Sequence, residues 1–174
     1  VTTAALTPAT PPWLEIAESL LGIKEIPGER SNPLILQWAK DIHAPGWYEN
    51  DDQAWCALFV NKVCQSAKLP LSGVGFSLLR ARSFATWGIG LSTPALGAVL
   101  VFTRPGGDHV GFYLGERRSD GAVRVLGGNQ GNAVSATWIR ADRLSQMRWP
   151  PGIGRPSTGR VYLDSVGALS TDEA

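Results

Sequence analysis

Cysteine, histidine and methionine are scarce in this chain: two, two and one among 174 residues. Cys56 and Cys64 are eight positions apart in what reads as a single helix, so they stand about 12 Å apart along its axis. That is too far for a disulfide. With His43 and His109 as the only imidazoles, and no CxxC or HxxxH spacing, a structural zinc site lacks ligands at sensible positions. No run of about 18 uninterrupted apolar residues suggests a membrane span. Charged residues are only 18% of the chain against 44% hydrophobic, which excludes a coiled coil and wholesale disorder. A basic n-region is also missing from Val1 to Pro12, so no signal peptide is visible, and residues 1–11 read as a linker or a trimmed end.

Glycine and proline, by contrast, are plentiful, at 20 and 12 residues. Such a turn-rich chain points away from a helical bundle and toward short strands. The formal charge is only +1, but it is unevenly placed. Residues 1–55 carry three Lys/Arg against eight Asp/Glu, residues 56–160 thirteen against four, and the remainder none against three. The basic middle suits long-range attraction of an anionic polymer such as cell wall. No Lys/Arg run and no aromatic RNA-binding motif points to nucleic acid.

Trp13, Ile16, Ala17, Leu20 and Leu21 form an apolar stripe at helical spacing, with proline before it and Gly22 at its stop. Asn32 caps a second helix entered through Pro33. A third helix is expected from about Trp55 to Ala67, apolar nearly all round and therefore buried. A short fourth is expected near Leu78 to Trp87. After Gly97 the character changes: 98–102, 109–115, 123–126 and 134–138 are β-branched and aromatic segments separated by glycine-rich turns. Helices followed by such a meander predict an α+β domain over 12–154, with 155–174 a polar, flexible tail.

Three places carry chemistry. Cys56 opens the buried helix, where the dipole and unpaired N–H groups favour a thiolate; Cys64, two turns inward, reads as a small buried hydrophobe. His109 starts a strand whose alternation sends Val110, Phe112 and Leu114 to one face and His109, Gly111 and Tyr113 to a second, polar one, a good setting for a general base. His43, in a loop beside Pro45-Gly46, lacks that setting. Asn129, in Gly127-Gly128-Asn129-Gln130-Gly131-Asn132, is the choice for the amide that orients the imidazole. The competing reading makes it a turn residue with positive φ.

Trp55-Cys56-Ala57-Leu58-Phe59-Val60-Asn61, Asp108-His109-Val110-Gly111-Phe112-Tyr113-Leu114-Gly115 and Leu126-Gly127-Gly128-Asn129-Gln130, in this order, resemble the motifs of the NlpC-like and CHAP-like cysteine hydrolases. Glu25-Ile26-Pro27-Gly28, Asn32-Pro33 and Ala81 to Gly88 are similar to a phage- and prophage-associated branch of that group. The resemblance covers about residues 12–150. It implies a papain-like domain with a partly closed antiparallel sheet, and hydrolysis of an amide in bacterial peptidoglycan, as endopeptidase or N-acetylmuramoyl-L-alanine amidase. Cys56, His109 and Asn129 would be catalytic, Trp55 and Gln130 substrate-binding, and the Cys56 N–H part of the oxyanion hole. No metal or organic cofactor is needed. The implied partners are peptidoglycan or its stem peptides and, for a toxin, a cognate inhibitor. The implied place of action is the periplasm or the exterior, reached by lysis or a secretion system. Relatives often have Pro-Gly-Asp where this chain has Leu96-Gly97-Ala98, and many CHAP-like enzymes have Gln where Trp55 stands. Transamidation by the same triad, or a non-catalytic wall-binding module of the same fold, are the alternatives.

Overall fold

The computed structural model describes residues 9–163 and 166–173. Among the described residues three α-helices come first: α1 (Pro12–Ser19), α2 (Pro33–Asp41) and α3 (Cys56–Ser66). Proline opens α1 and α2, where its missing N–H costs nothing. The Asn32 side chain caps α2 as its type predicts, accepting the Leu34 N–H at 2.9 Å. In α3 every residue from Cys56 to Asn61 is buried, together with Val63 and Cys64. In place of a fourth α-helix, residues Gly75–Leu79 and Ala81–Thr86 form two short 3₁₀ helices.

Six strands follow among the described residues: β1 (Ile89–Gly90), β2 (Val99–Arg104), β3 (Gly107–Glu116), β4 (Val123–Gly127), β5 (Ser135–Ile139) and β6 (Leu144–Trp149). They form one antiparallel sheet in the order β1-β6-β2-β3-β4-β5. The fold is thus α+β. The sheet stays open rather than partly closed, because β1 and β5 end it as separate edges. Strand β6 was not anticipated. Its sequence, LSQMRW, has little β-branched character, and its pairing with β2 is long-range.

α3 packs across the sheet, with the Phe59 and Phe112 rings edge to face at 6.2 Å and Trp38 of α2 tilted against Phe59 at 6.1 Å. Burying a side chain such as Phe59 fully is worth roughly 1.5–3 kcal/mol. Asn61, buried within α3, reaches outward instead: its amide donates to the Leu78 carbonyl at 3.0 Å and accepts the Ser72 N–H at 2.9 Å. This ties the segment that leads into Arg80 and Arg82 to the helix that carries Cys56.

The described residues of the expected flexible tail include several that dock on the sheet and its flanks. The Glu116 N–H donates to the Val161 carbonyl at 2.8 Å and the Ser170 N–H to the Trp138 carbonyl at 2.8 Å, while buried Glu173 pairs with Arg143. Among the described residues, no helix is long and apolar enough to cross a membrane.

Candidate active site

Cys56 is the first residue of α3. Helical bonding begins with the Phe59 N–H on the Trp55 carbonyl at 2.9 Å, so the N–H groups of Cys56, Ala57 and Leu58 precede the ladder. Cys56 also lines a cleft of about 260 Å³, together with Ala54, Arg80, Arg82, Arg104 and Asp108. The backbone N–H groups of Val110 and Ala57 lie near its sulfur and favour its charged form. Val110 directly follows His109 in β3, so the thiol lies near the residue next along the chain from the histidine.

The thiolate expected at this helix start is opposed by burial. Cys56 is only 3% exposed. Desolvation pushes its thiol above the ordinary cysteine range, and the N–H groups of Val110 and Ala57 and the charge of Arg104 work the other way. Cys64, fully buried with nothing to offset desolvation, is pushed up to about 12. Only the thiolate is alkylated, and a raised value lowers the thiolate fraction at every pH below it. The rate of Cys56 alkylation by iodoacetamide should therefore keep rising with pH past 9, with Cys64 unlabelled. Peptide mass mapping of alkylated protein at several pH values checks this, and a plateau near neutrality would mean a preformed thiolate.

His109 is completely buried. The face it shares with Tyr113 is not the polar one that alternation suggested, for Tyr113 is equally buried, its hydroxyl donating to Glu116 Oε2 at 3.1 Å. Both faces of β3 are covered, one by α3 and the other by the segment around Val161 and the loop after β4. The imidazole Nε2 lies 2.9 Å from Gln130 Oε1. An amide oxygen only accepts, so in the neutral ring Nε2 carries the proton and Nδ1 is the basic nitrogen.

The amide that the structure brings to the imidazole is Gln130 rather than Asn129, and the other atoms of the Gln130 amide are engaged by the backbone. Its Nε2 donates to the carbonyls of Val125 at 3.2 Å and Ser135 at 2.7 Å, and the Ser135 hydroxyl donates to the Gln130 backbone carbonyl at 2.9 Å. Asn129 takes φ +56°, the turn role that competed with the catalytic one, and its buried Oδ1 has no hydrogen-bond partner among the described residues. A turn at Asn129 swings the next side chain, not its own, back under the imidazole. The two glycines before it are needed for closeness. A Cβ on Gly127 would stand 2.6 Å from Gln130 Oε1, and one on Gly128 would stand 2.8 Å from the Trp55 ring. Replacing Gln130 by Ala should lower kcat on the order of 100-fold with KM nearly kept, since a misplaced imidazole costs about that much. Asn129→Gly should stay close to the parent rate. Steady-state kinetics on both variants, with melting curves to exclude unfolding, measure the contrast.

Trp55, the other residue expected to bind substrate, lies in the core. It is fully buried, and its indole N–H donates to Glu25 Oε1 at 2.7 Å. This fixes the loop that delivers Cys56 to the Glu25 segment. Asp51, also fully buried, extends the tie by accepting the N–H groups of Asn32 at 2.7 Å and Ile26 at 3.2 Å. His43 stands exposed in the turn after α2 with φ +57°. Sequence reasoning missed Arg104, which only the β2–β3 hairpin brings beside Cys56. The one available signal was the basic excess of the middle segment.

Comparison with protein-family models, with curated proteins and with solved structures returns no match, so the geometry of these residues carries the functional reading.

Proposed function

We propose that this chain is a papain-like cysteine hydrolase that cuts an amide bond in bacterial peptidoglycan through Cys56, His109 and Gln130. The observation that carries the reading is a juxtaposition. A thiol at the first turn of a buried helix lies on the backbone of the residue after a histidine, and that histidine is held through Nε2 by a buried amide. A structural cysteine has no use for an oriented imidazole and an open cleft.

In the proposed reaction the thiol is neutral at rest, in keeping with its burial. As Sγ adds to the scissile carbonyl carbon, its proton passes to Nδ1 of His109, and the carbonyl oxygen takes the electron pair as an oxyanion. The Cys56 N–H, ahead of the helical ladder, is placed to receive that charge. The imidazolium next gives its proton to the leaving nitrogen, the C–N bond breaks, and a thioester and a free amine result. Water, deprotonated by Nδ1, attacks the thioester, releasing the carboxylic acid and restoring the thiol. Gln130 keeps the ring oriented throughout, and in the imidazolium it still accepts from Nε2. The basic segment 56–160 suits an anionic wall polymer. The substrate class itself rests on the order and content of the three motifs.

Release of soluble fragments from purified sacculi tests the proposal. Release that stops when Cys56 is alkylated supports it, and sacculi left intact by active-thiol protein would overturn it.

A further inference from the structure

The cleft that reaches Cys56 is lined by three guanidinium groups, Arg80, Arg82 and Arg104, against one carboxylate, Asp108. That carboxylate is already engaged, accepting from Arg82 Nε at 2.8 Å. The Arg80 guanidinium lies over the Phe76 ring, 5.5 Å from its centroid. Arg104 stands apart from both. Its buried Nε has no hydrogen-bond partner, and its side chain enters no ion pair, among the described residues. A buried guanidinium N–H is costly to leave unmade. In this chain Arg117 and Arg160 pair theirs with Asp120 and Glu116, and Arg143 pairs one of its nitrogens with Glu173.

The backbone fixes where this cation stands. Arg104 ends β2 and pairs with Gly107 across the tight Pro105-Gly106 turn, while Phe102 pairs with His109. Residues two apart on a strand share a face, so Arg104 stands on the same face as the Phe102–His109 pair. It is held by a hairpin rather than by a long loop.

We infer that Arg104 anchors a carboxylate that the substrate carries close to the scissile amide, so that the cleft selects peptides with a free carboxylate over amidated ones. This rests on the reading that Cys56 is the nucleophile of the cleft. A guanidinium meets a carboxylate through two parallel charge-assisted N–H bonds, a match that a neutral amide cannot equal. Arg80 adds a second positive charge to the same wall, and the Asp108 charge is offset by Arg82.

Protection of Cys56 from iodoacetamide reads binding without turnover. The probes are the tetrapeptide Ala-γ-Glu-Lys-Ala with a free glutamyl α-carboxylate and the same peptide with that group amidated. Each variant's alkylation rate is compared with and without peptide. In the parent protein the acid should protect at concentrations about tenfold or more below those the amide needs. Arg104→Gln should make the two peptides equal, and Arg104→Lys should keep part of the preference. Equal protection by both peptides in the parent, protection by neither, or a preference that survives Arg104→Gln would overturn the inference. The parent comparison stands even if Arg104→Gln does not fold. Discrimination by a protein that leaves sacculi intact would refute the hydrolase reading alone, and hydrolysis without discrimination would refute the anchor alone.

Discussion

Cys56→Ala protein should show no measurable release of fragments from peptidoglycan, and Cys64→Ala should work at close to the parent rate. The two thiols share one helix and differ in what surrounds them. Cys56 lines the cleft near the N–H groups of Val110 and Ala57, whereas Cys64 is fully buried with nothing to offset its desolvation. An alanine methyl offers no electron pair, so no thioester forms and the whole reaction is lost rather than slowed. Removing one buried heavy atom costs roughly 1 kcal/mol, so both variants should fold. Fragment release and melting curves on the pair check the contrast, and an active Cys56→Ala protein would end the mechanism.

His109→Ala should lower kcat/KM by about 100- to 10,000-fold, the usual worth of general acid–base assistance. Here the loss belongs at the upper end. A buried thiol pushed above its ordinary range depends on the imidazole to take its proton during attack. The variant also leaves Gln130 Oε1 buried without its imidazole partner, which costs about 1–3 kcal/mol of stability. Melting curves therefore accompany the kinetics, and His109→Gln, which refills part of the space, serves as the second variant. His43→Ala should keep most of the activity, since that ring is exposed in the turn after α2. A dead His43→Ala protein would refute the assignment of the base.

What could be read from the chain was whatever local chemistry decides. Asn32-Pro33 states a helix start, and the all-round apolar character of Ala57 to Val63 states a buried helix; both hold. The segments around His109 and Val123 are β-branched and aromatic enough to be strands on their own account. Other features are decided at a distance. Residues 144–149 become a strand because β1 and β2 flank them. Arg104 enters the site through the hairpin register. The choice between Asn129 and Gln130 turns on one positive φ, which hands the imidazole to the second amide rather than the first. The thiolate expected from the helix start meets an opposing effect, because a dipole argument counts the first turn and not the desolvation that burial imposes.

The central claim is that Cys56 hydrolyses a wall amide, and mass analysis of digested peptidoglycan meets it most directly. Purified sacculi are incubated with the parent protein and with Cys56→Ala, in the presence of a small primary amine, and the soluble fragments are sequenced by mass. The account predicts fragments in paired sets from one type of amide bond, each cut leaving a free carboxylic acid on one side and a free amine on the other, and no such fragments from Cys56→Ala. Fragments capped by the added amine, cuts that persist in Cys56→Ala, or sacculi with no new termini would contradict it.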